Sequence, residues 1–182
     1  MRALQTSRIS LRGMALAATF AALTAVGAFL AIPIGAVPIT MQTLFVHLSG
    51  TLLGSRLGAV SQCLYVLAGL IGLPVFAGGA SGLGALLGPT GGYLLGFVVG
   101  GAYLTGRLTE MRRHSGPVWI AASCVAGLLV MYALGALYLS VVADLSLTRA
   151  IFVGVLPFLL GDALKVAAAT AITRRLRAMR CA

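Results

Sequence analysis

Charge is what this sequence has least of. Charged residues fill 9% of its 182 positions, and only three of them are acidic. A soluble domain of this length needs a polar shell, and too little polar material is present to build one. Lipid must therefore be the solvent for most of the surface. Cysteine is scarce too: Cys63, Cys124 and Cys181 are widely spaced and odd in number, which excludes a disulfide framework and any metal-ligand spacing. They are expected to pack. The pattern G-x-x-x-x-G-K-[ST] occurs nowhere, so no Walker site for ATP exists in the chain. Three acids and two histidines give too little material for a catalytic constellation, which argues against an enzyme. There is no heptad pattern, low-complexity tract or repeat of 20–50 residues.

What is abundant is apolar: 60% of residues, with 24 glycines and a mean hydropathy of +1.06. Glycine in such numbers fits helices that approach closely in a bilayer. A span needs roughly 20 apolar residues, fewer where protein shields it. The expected spans are 13–32, 40–53, 57–73, 89–106, 117–142 and 150–173, all in one domain covering 1–182. The first follows Arg2, Arg8 and Arg12 but is longer than the apolar region of a signal peptide, so it is read as retained. Pro33-Ile34-Gly35-Ala36-Val37-Pro38 is not expected to be helical. Arg56 marks a tight turn, and Pro89 suits a first helical turn. The glycine-rich stretch from Pro74 to Gly84 is apolar yet a poor helix. It reads as a lid or re-entrant loop, since irregular backbone at membrane depth must be covered by protein or line a cavity.

The formal charge of +10 would point to nucleic acid in a soluble protein. Here the arginines sit at the ends of apolar runs, with no basic stripe and interleaved aromatics, so no nucleic-acid partner is expected. Arginines at the N-terminus, at Arg56, at Arg107, Arg112 and Arg113, and in the tail from Arg174 to Arg180 fall on one side of a six-span arrangement. Only Arg149 lies on the other, and Lys165 lies within a span. That split places both termini in the cytoplasm.

The functional signal is Gly161-Asp162-Ala163-Leu164-Lys165, near the middle of the sixth span. A charge there costs about 2.5–3.5 kcal/mol on insertion scales. Asp162 and Lys165 are three apart and share a helix face. Either they neutralise each other and hold the bundle, or together they present an acceptor and a donor to a polar solute. In Gly88-Pro89-Thr90-Gly91-Gly92-Tyr93, Gly91 and Gly92 open the backbone at a helix start to a ligand or to another helix, and free amides there would favour an anion. Tyr93 adds an aromatic face with a polar tip. Thr40 and Gln42 sit at the outer edge of the second span, with His47 one to two turns deeper, where a packing role is the plainer reading. Gln42 serves either a pocket or a neighbouring helix.

Ala17, Ala21 and Ala25, flanked by Ala18 and Ala22, form a small-xxx-small face for a partner helix on the first span. Gly79-Ala80-Ser81-Gly82 matches the G-x-S-G string of intramembrane serine proteases, but His114, the only downstream histidine, falls in a loop on the opposite side.

Four segments resemble the BioY family: Pro38-Ile39-Thr40-Met41-Gln42-Thr43-Leu44, Gly72-Leu73-Pro74-Val75-Phe76-Ala77-Gly78-Gly79, Gly88-Pro89-Thr90-Gly91-Gly92-Tyr93-Leu94-Leu95-Gly96-Phe97, and Gly161-Asp162-Ala163-Leu164-Lys165. These are biotin-specific substrate-binding (S) components of energy-coupling factor (ECF) transporters. The resemblance spans nearly the whole chain. It implies an all-α membrane bundle of six transmembrane helices with the S-component fold, in a prokaryotic cytoplasmic membrane. Such a subunit takes biotin from outside and carries it inward by toppling within a module of a transmembrane coupling protein and two ATPases. ATP would be used only by those partners, and the chain itself needs no cofactor or metal. The alanine face of the first helix would dock on the coupling protein.

Biotin offers ureido N–H donors, a carbonyl and an anionic carboxylate. Asp162 suits the ureido N–H groups, and Lys165 or the amides near Gly91 and Gly92 suit an oxygen. Phe76 and Tyr93 suit the apolar rings, while Ser81 is placed near the site only loosely. An S component for another vitamin, a membrane-embedded enzyme and a structural assembly subunit are the competing readings. Whether the subunit acts alone, as a homo-oligomer or with energising partners stays open at this stage.

Overall fold

The computed structural model describes residues 10–33, 37–112 and 116–181, with side chains to residue 179. The expectations placed on Arg2, Arg8, Arg113, His114 and residues 34–36, and on the side chains of Arg180 and Cys181, lie outside the described residues. The described chain is mostly helical. Helix α1 (Leu11–Phe29) opens on Ser10, whose hydroxyl accepts from the Gly13 amide at 3.1 Å, a conventional N-cap. It stops short of the expected residue 32, because Ala31–Ile32 (β1) pairs antiparallel with Ile39–Thr40 (β2). The Met41 amide then donates back to the Gly27 and Leu30 carbonyls, tying the start of α2 to the end of α1.

Helix α2 (Gln42–Leu53) has only 12 residues. The turn that follows is centred on Gly54, not on Arg56, which already lies in α3 (Ser55–Leu70). Gly54 has φ +85°, a conformation that disfavours any side chain. Glu110 caps the new helix from outside, accepting from the Ser55 amide at 3.1 Å and its hydroxyl at 2.7 Å. Irregular backbone was expected from Pro74 to Gly84; the interruption runs wider, from 71 to 90, because α3 ends at Leu70 and the next long helix starts at Gly91, and it carries a 3₁₀ turn (Ala77–Gly79) and a short helix α4 (Gly82–Leu87).

Pro89 stands before the next helix instead of inside it: α5 runs Gly91–Gly96, continues as a π-helical segment (Phe97–Leu104) and ends as α6 (Thr105–Met111). Helix α7 (Pro117–Val142) occupies the expected segment.

The final expected span, 150–173, is a larger departure. It is two helices, α8 (Leu147–Gly154) and α9 (Leu159–Cys181), joined by a 3₁₀ turn Leu156–Phe158. Pro157 cannot donate to the carbonyl one turn back, and the Phe158 amide donates to Val155 rather than to Gly154. The helix therefore breaks, and Asp162 falls in the first turn of α9. There the positive end of the helix dipole favours a carboxylate.

Three stretches are long and apolar enough to cross a membrane: Leu11–Phe29, Pro117–Val142 and Leu147–Met179, the last counted through its break. Large apolar side chains such as Ile71, Val118, Val141 and Leu160 are exposed around the outside, the reverse of a soluble surface. Among the cysteines, Cys124 packs inside as expected, whereas Cys63 is exposed.

Candidate functional site

Thr40, Gln42, Phe76, Tyr93, Asp162 and Lys165, six of the side chains singled out by sequence, meet at one hollow. The end of α1's β-linked return brings Thr40 to its rim, α2 brings Gln42 and Thr43, and the loop after α3 brings Phe76. Helix α5 brings Tyr93, α7 brings Tyr132, and α9 brings Asp162 and Lys165. The empty space, counting its open mouth, is about 610 Å³.

At the polar end, the Lys165 ammonium sits 2.8 Å from Asp162 Oδ1. It also donates to the Thr40 carbonyl at 2.6 Å. Asp162 Oδ1 further accepts from the Thr43 hydroxyl at 2.9 Å, and Oδ2 accepts from the Tyr132 hydroxyl at 2.6 Å. Both charges are nearly inaccessible, Asp162 at 3% and Lys165 at 7%. A carboxylate offers about four lone-pair sites and an ammonium three donors. With those contacts made, the pair keeps one acceptor position on Oδ2 and one donor on Nζ. The charges neutralise each other, and they do so on the floor of a cavity with hydrogen-bonding capacity to spare.

A second chain of hydrogen bonds shapes the adjoining wall. Thr40 Oγ1 donates to Gln42 Oε1 at 2.9 Å, Gln42 Nε2 donates to the Tyr65 hydroxyl at 2.5 Å, and Tyr65 donates to the Val75 carbonyl at 3.1 Å. Tyr65 also meets Phe76 edge to face, with ring centroids 5.6 Å apart. The Gln42 amide thus fixes the loop that carries Phe76 over the hollow. Apart from Thr90, the rest of the lining is apolar, including Leu94, Phe97, Met131 and Phe158.

Several expected residues are placed elsewhere. Gly91 and Gly92 do not line the hollow: a Cβ on Gly91 would meet the Leu86 carbonyl and Tyr138, and one on Gly92 would meet Tyr138 and the Leu134 carbonyl. Their lack of side chains serves helix packing, while the preceding Thr90 faces the hollow. The amides of Gly91, Tyr93 and Leu94 already donate to the Gly88 and Thr90 carbonyls, so they are not a free anion nest. Ser81 is exposed and off the lining.

His47 is fully buried outside the hollow, its Nδ1 3.4 Å from Thr105 Oγ1. On α1, Ala17 is fully buried, and Ala21 and Ala25 pack against the core. Only Ala18 and Ala22 of that group stay exposed. Among the described residues no cluster of side chains could hold a metal ion.

Tyr132 and Thr43 were missed from sequence. Thr43 stood inside a quoted motif, so its place beside Gln42 was a usable signal. Tyr132, in a run of apolar residues on α7, offered none.

Comparison with known proteins bears on this geometry. The model of the BioY family matches residues 2–181. The biotin transporter BioY of Thermotoga maritima is 43% identical over 167 residues, covering 92% of this chain and 96% of that protein. The biotin transporter BioY of Rhizobium etli is 39% identical over 176 residues, covering 91% and 93%. A crystal structure of the S-component for biotin from an ECF-type ABC transporter superposes with a TM-score of 0.84 at 29% identity, covering 91% of this chain and 90% of that one.

Proposed function

The chain belongs to the BioY family, and on that premise we propose that it binds biotin in the hollow above Asp162 and Lys165 as the substrate-specific component of an ECF-type transporter. It is a membrane protein whose role is transport and not catalysis. The observation that carries the reading is the unfilled hydrogen-bonding capacity of a buried ion pair. One free acceptor beside one free donor, 3% and 7% exposed, complements an N–H next to a carbonyl, as in a cyclic urea. The aromatic wall of Phe76, Tyr93, Phe97 and Phe158 suits the fused apolar rings. No second cation lines the hollow, so the anionic tail is directed toward the mouth, where water solvates it.

Selectivity follows from the same arrangement. A ligand lacking the N–H or the carbonyl would leave a buried charge without its last partner, which costs more than a missing apolar contact.

The reading includes six spans in a single domain of a prokaryotic cytoplasmic membrane, both termini inside, with α2, α3 and the α5–α6 rod crossing alongside the three long stretches. The distribution of arginine supports it. The energising partners are a transmembrane coupling protein and two ATPases, which use the ATP that this chain has no Walker motif to bind. Docking on α1 is assigned to the exposed Ala18 and Ala22 side, since the Ala17, Ala21 and Ala25 face is taken up by the chain's own bundle.

The test is binding of labelled biotin to the purified chain, with Asp162→Asn and Lys165→Ala beside it. Each variant is expected to lose about a hundredfold in affinity, the scale of a hydrogen bond to a charged group plus a stranded partner. Unchanged affinity in both would remove this site, and tight binding of a different vitamin in place of biotin would remove the ligand.

A further inference from the structure

Tyr93 lines the hollow, yet its hydroxyl does not point at open space. It donates to the Gly154 carbonyl at 2.6 Å. That carbonyl has lost its helical partner, because the Phe158 amide has turned to Val155 at the break between α8 and α9. An unpaired carbonyl is expensive inside a membrane bundle, and the tyrosine hydroxyl supplies the missing donor.

The slot around the ring is cut to fit. A Cβ on Gly135 of α7 would overlap the Tyr93 ring, and a Cβ on Gly154 of α8 would overlap its hydroxyl. Two glycines on different helices thus leave room for one side chain. Phe158, just past the break, lies against the same ring with centroids 6.4 Å apart. The joint it belongs to leads straight into the first turn of α9, which carries Asp162.

We infer that Tyr93 and Gly154 form a latch that fixes the α8–α9 joint, and with it Phe158 and Asp162, so that the latch sets how long the ligand stays bound. Tyr93 is then a positioning residue: its ring faces the ligand, but its hydroxyl acts on the fold. The inference rests on the biotin-binding reading above. Freeing the Gly154 carbonyl lets the joint flex and swings the floor of the site, which speeds release without changing how the ligand arrives.

The experiment measures association and dissociation of labelled biotin with the full chain in detergent, normalised to the binding-competent fraction. Wild type is compared with Tyr93→Phe, Gly154→Ala and the double variant. Tyr93→Phe is expected to speed dissociation about tenfold, the scale of one buried hydrogen bond, with association within about twofold of wild type. Gly154→Ala alone is expected to release faster still, since its methyl collides with the hydroxyl. In the double variant the hydroxyl is gone, the methyl has only the flexible end of the Leu139 side chain to displace, and dissociation returns close to the Tyr93→Phe rate, a non-additive cycle.

A purely structural role would lower the competent fraction and leave the release rate of that fraction unchanged, which would overturn the inference. Additive effects in the double variant would also overturn it. If Gly154→Ala does not fold, Tyr93→Phe against wild type still decides. A wild type that binds no biotin removes the functional reading itself and this inference with it, whereas normal binding with an unaltered Tyr93→Phe release rate removes the latch alone.

Discussion

Two groups of buried polar side chains lie along α2, and they differ in what surrounds them. At its start, Thr40, Gln42, Thr43 and, across from them, Tyr132, Asp162 and Lys165 form a network around a hollow. Further along, His47, Ser49, Gln62 and Thr24 are fully buried and do not line that hollow. Gln62 Nε2 donates to Thr24 Oγ1 at 3.2 Å and Ser49 Oγ at 3.3 Å, but Gln62 Oε1 and His47 Nε2 find no partner.

The first group holds a charged pair and the second does not, but both contain buried hydroxyls and an amide, so those side chains alone do not separate the two. The difference is local backbone. Beside the first group, the strand pair, the loop after α3 and the break before α9 keep helices from closing up. Beside the second, α2 and α3 meet the π-helical segment closely enough that a Cβ on Gly101 would overlap Val46. Polar residues in a membrane bundle become a binding site where irregular backbone holds a gap open next to them.

That contrast can be broken by substitution. After the two ion-pair variants, the largest effect is expected for Tyr132→Phe. It keeps the ring and removes the hydroxyl from Asp162 Oδ2, so biotin affinity should fall about thirtyfold, the scale of about 2 kcal/mol for a hydrogen bond to a charged group. Equilibrium binding of labelled biotin reads it, and an unaltered affinity would mean the first network is scaffold like the second.

A smaller effect is expected for Gln62→Leu. Replacing a half-satisfied amide by an apolar side chain of similar length should move the stability by no more than about 1 kcal/mol in either direction and leave biotin affinity within about twofold. Thermal unfolding in detergent, followed by a binding isotherm, checks both. A large loss of binding would make the second group part of the site. The smallest effect is assigned to Ser81→Ala, exposed and away from the lining. Uptake of labelled biotin by cells carrying it should match wild type, and a defect would bring the loop into the transport cycle.

The contrast also explains what could be read in advance. Asp162 and Lys165 stood out because charge inside an apolar run is costly, whatever the fold. Phe76, Tyr93, Thr40 and Gln42 came with the motifs around them. Helix α7 was legible to the residue because a proline and a long apolar run bound it.

Other features had no such signal. Tyr132 looks like any aromatic in an apolar helix, and its acceptor lies 30 positions away on another helix. Gly91 and Gly92 were read toward the ligand because glycine permits close approach without saying what approaches; here it is α7. Pro157 was visible within the last span, but that its break would free the Gly154 carbonyl depends on where the Phe158 amide turns. The π-helical segment at Phe97–Leu104 carried no mark that was recognised. Ala17 was placed on a docking face because spacing gives a helix stripe without giving its direction.

The brevity of α2 has a consequence for the distance the cargo must travel. Twelve residues of helix rise about 18 Å, against a hydrocarbon layer about 30 Å thick. On the proposed topology its far end reaches the inner boundary, so the hollow at its start lies about 12 Å below the outer one. A vitamin seated there has already left the outer water behind and crossed a good part of the insulating layer. On that topology what remains for the energised step is the longer leg of the journey, about 18 Å.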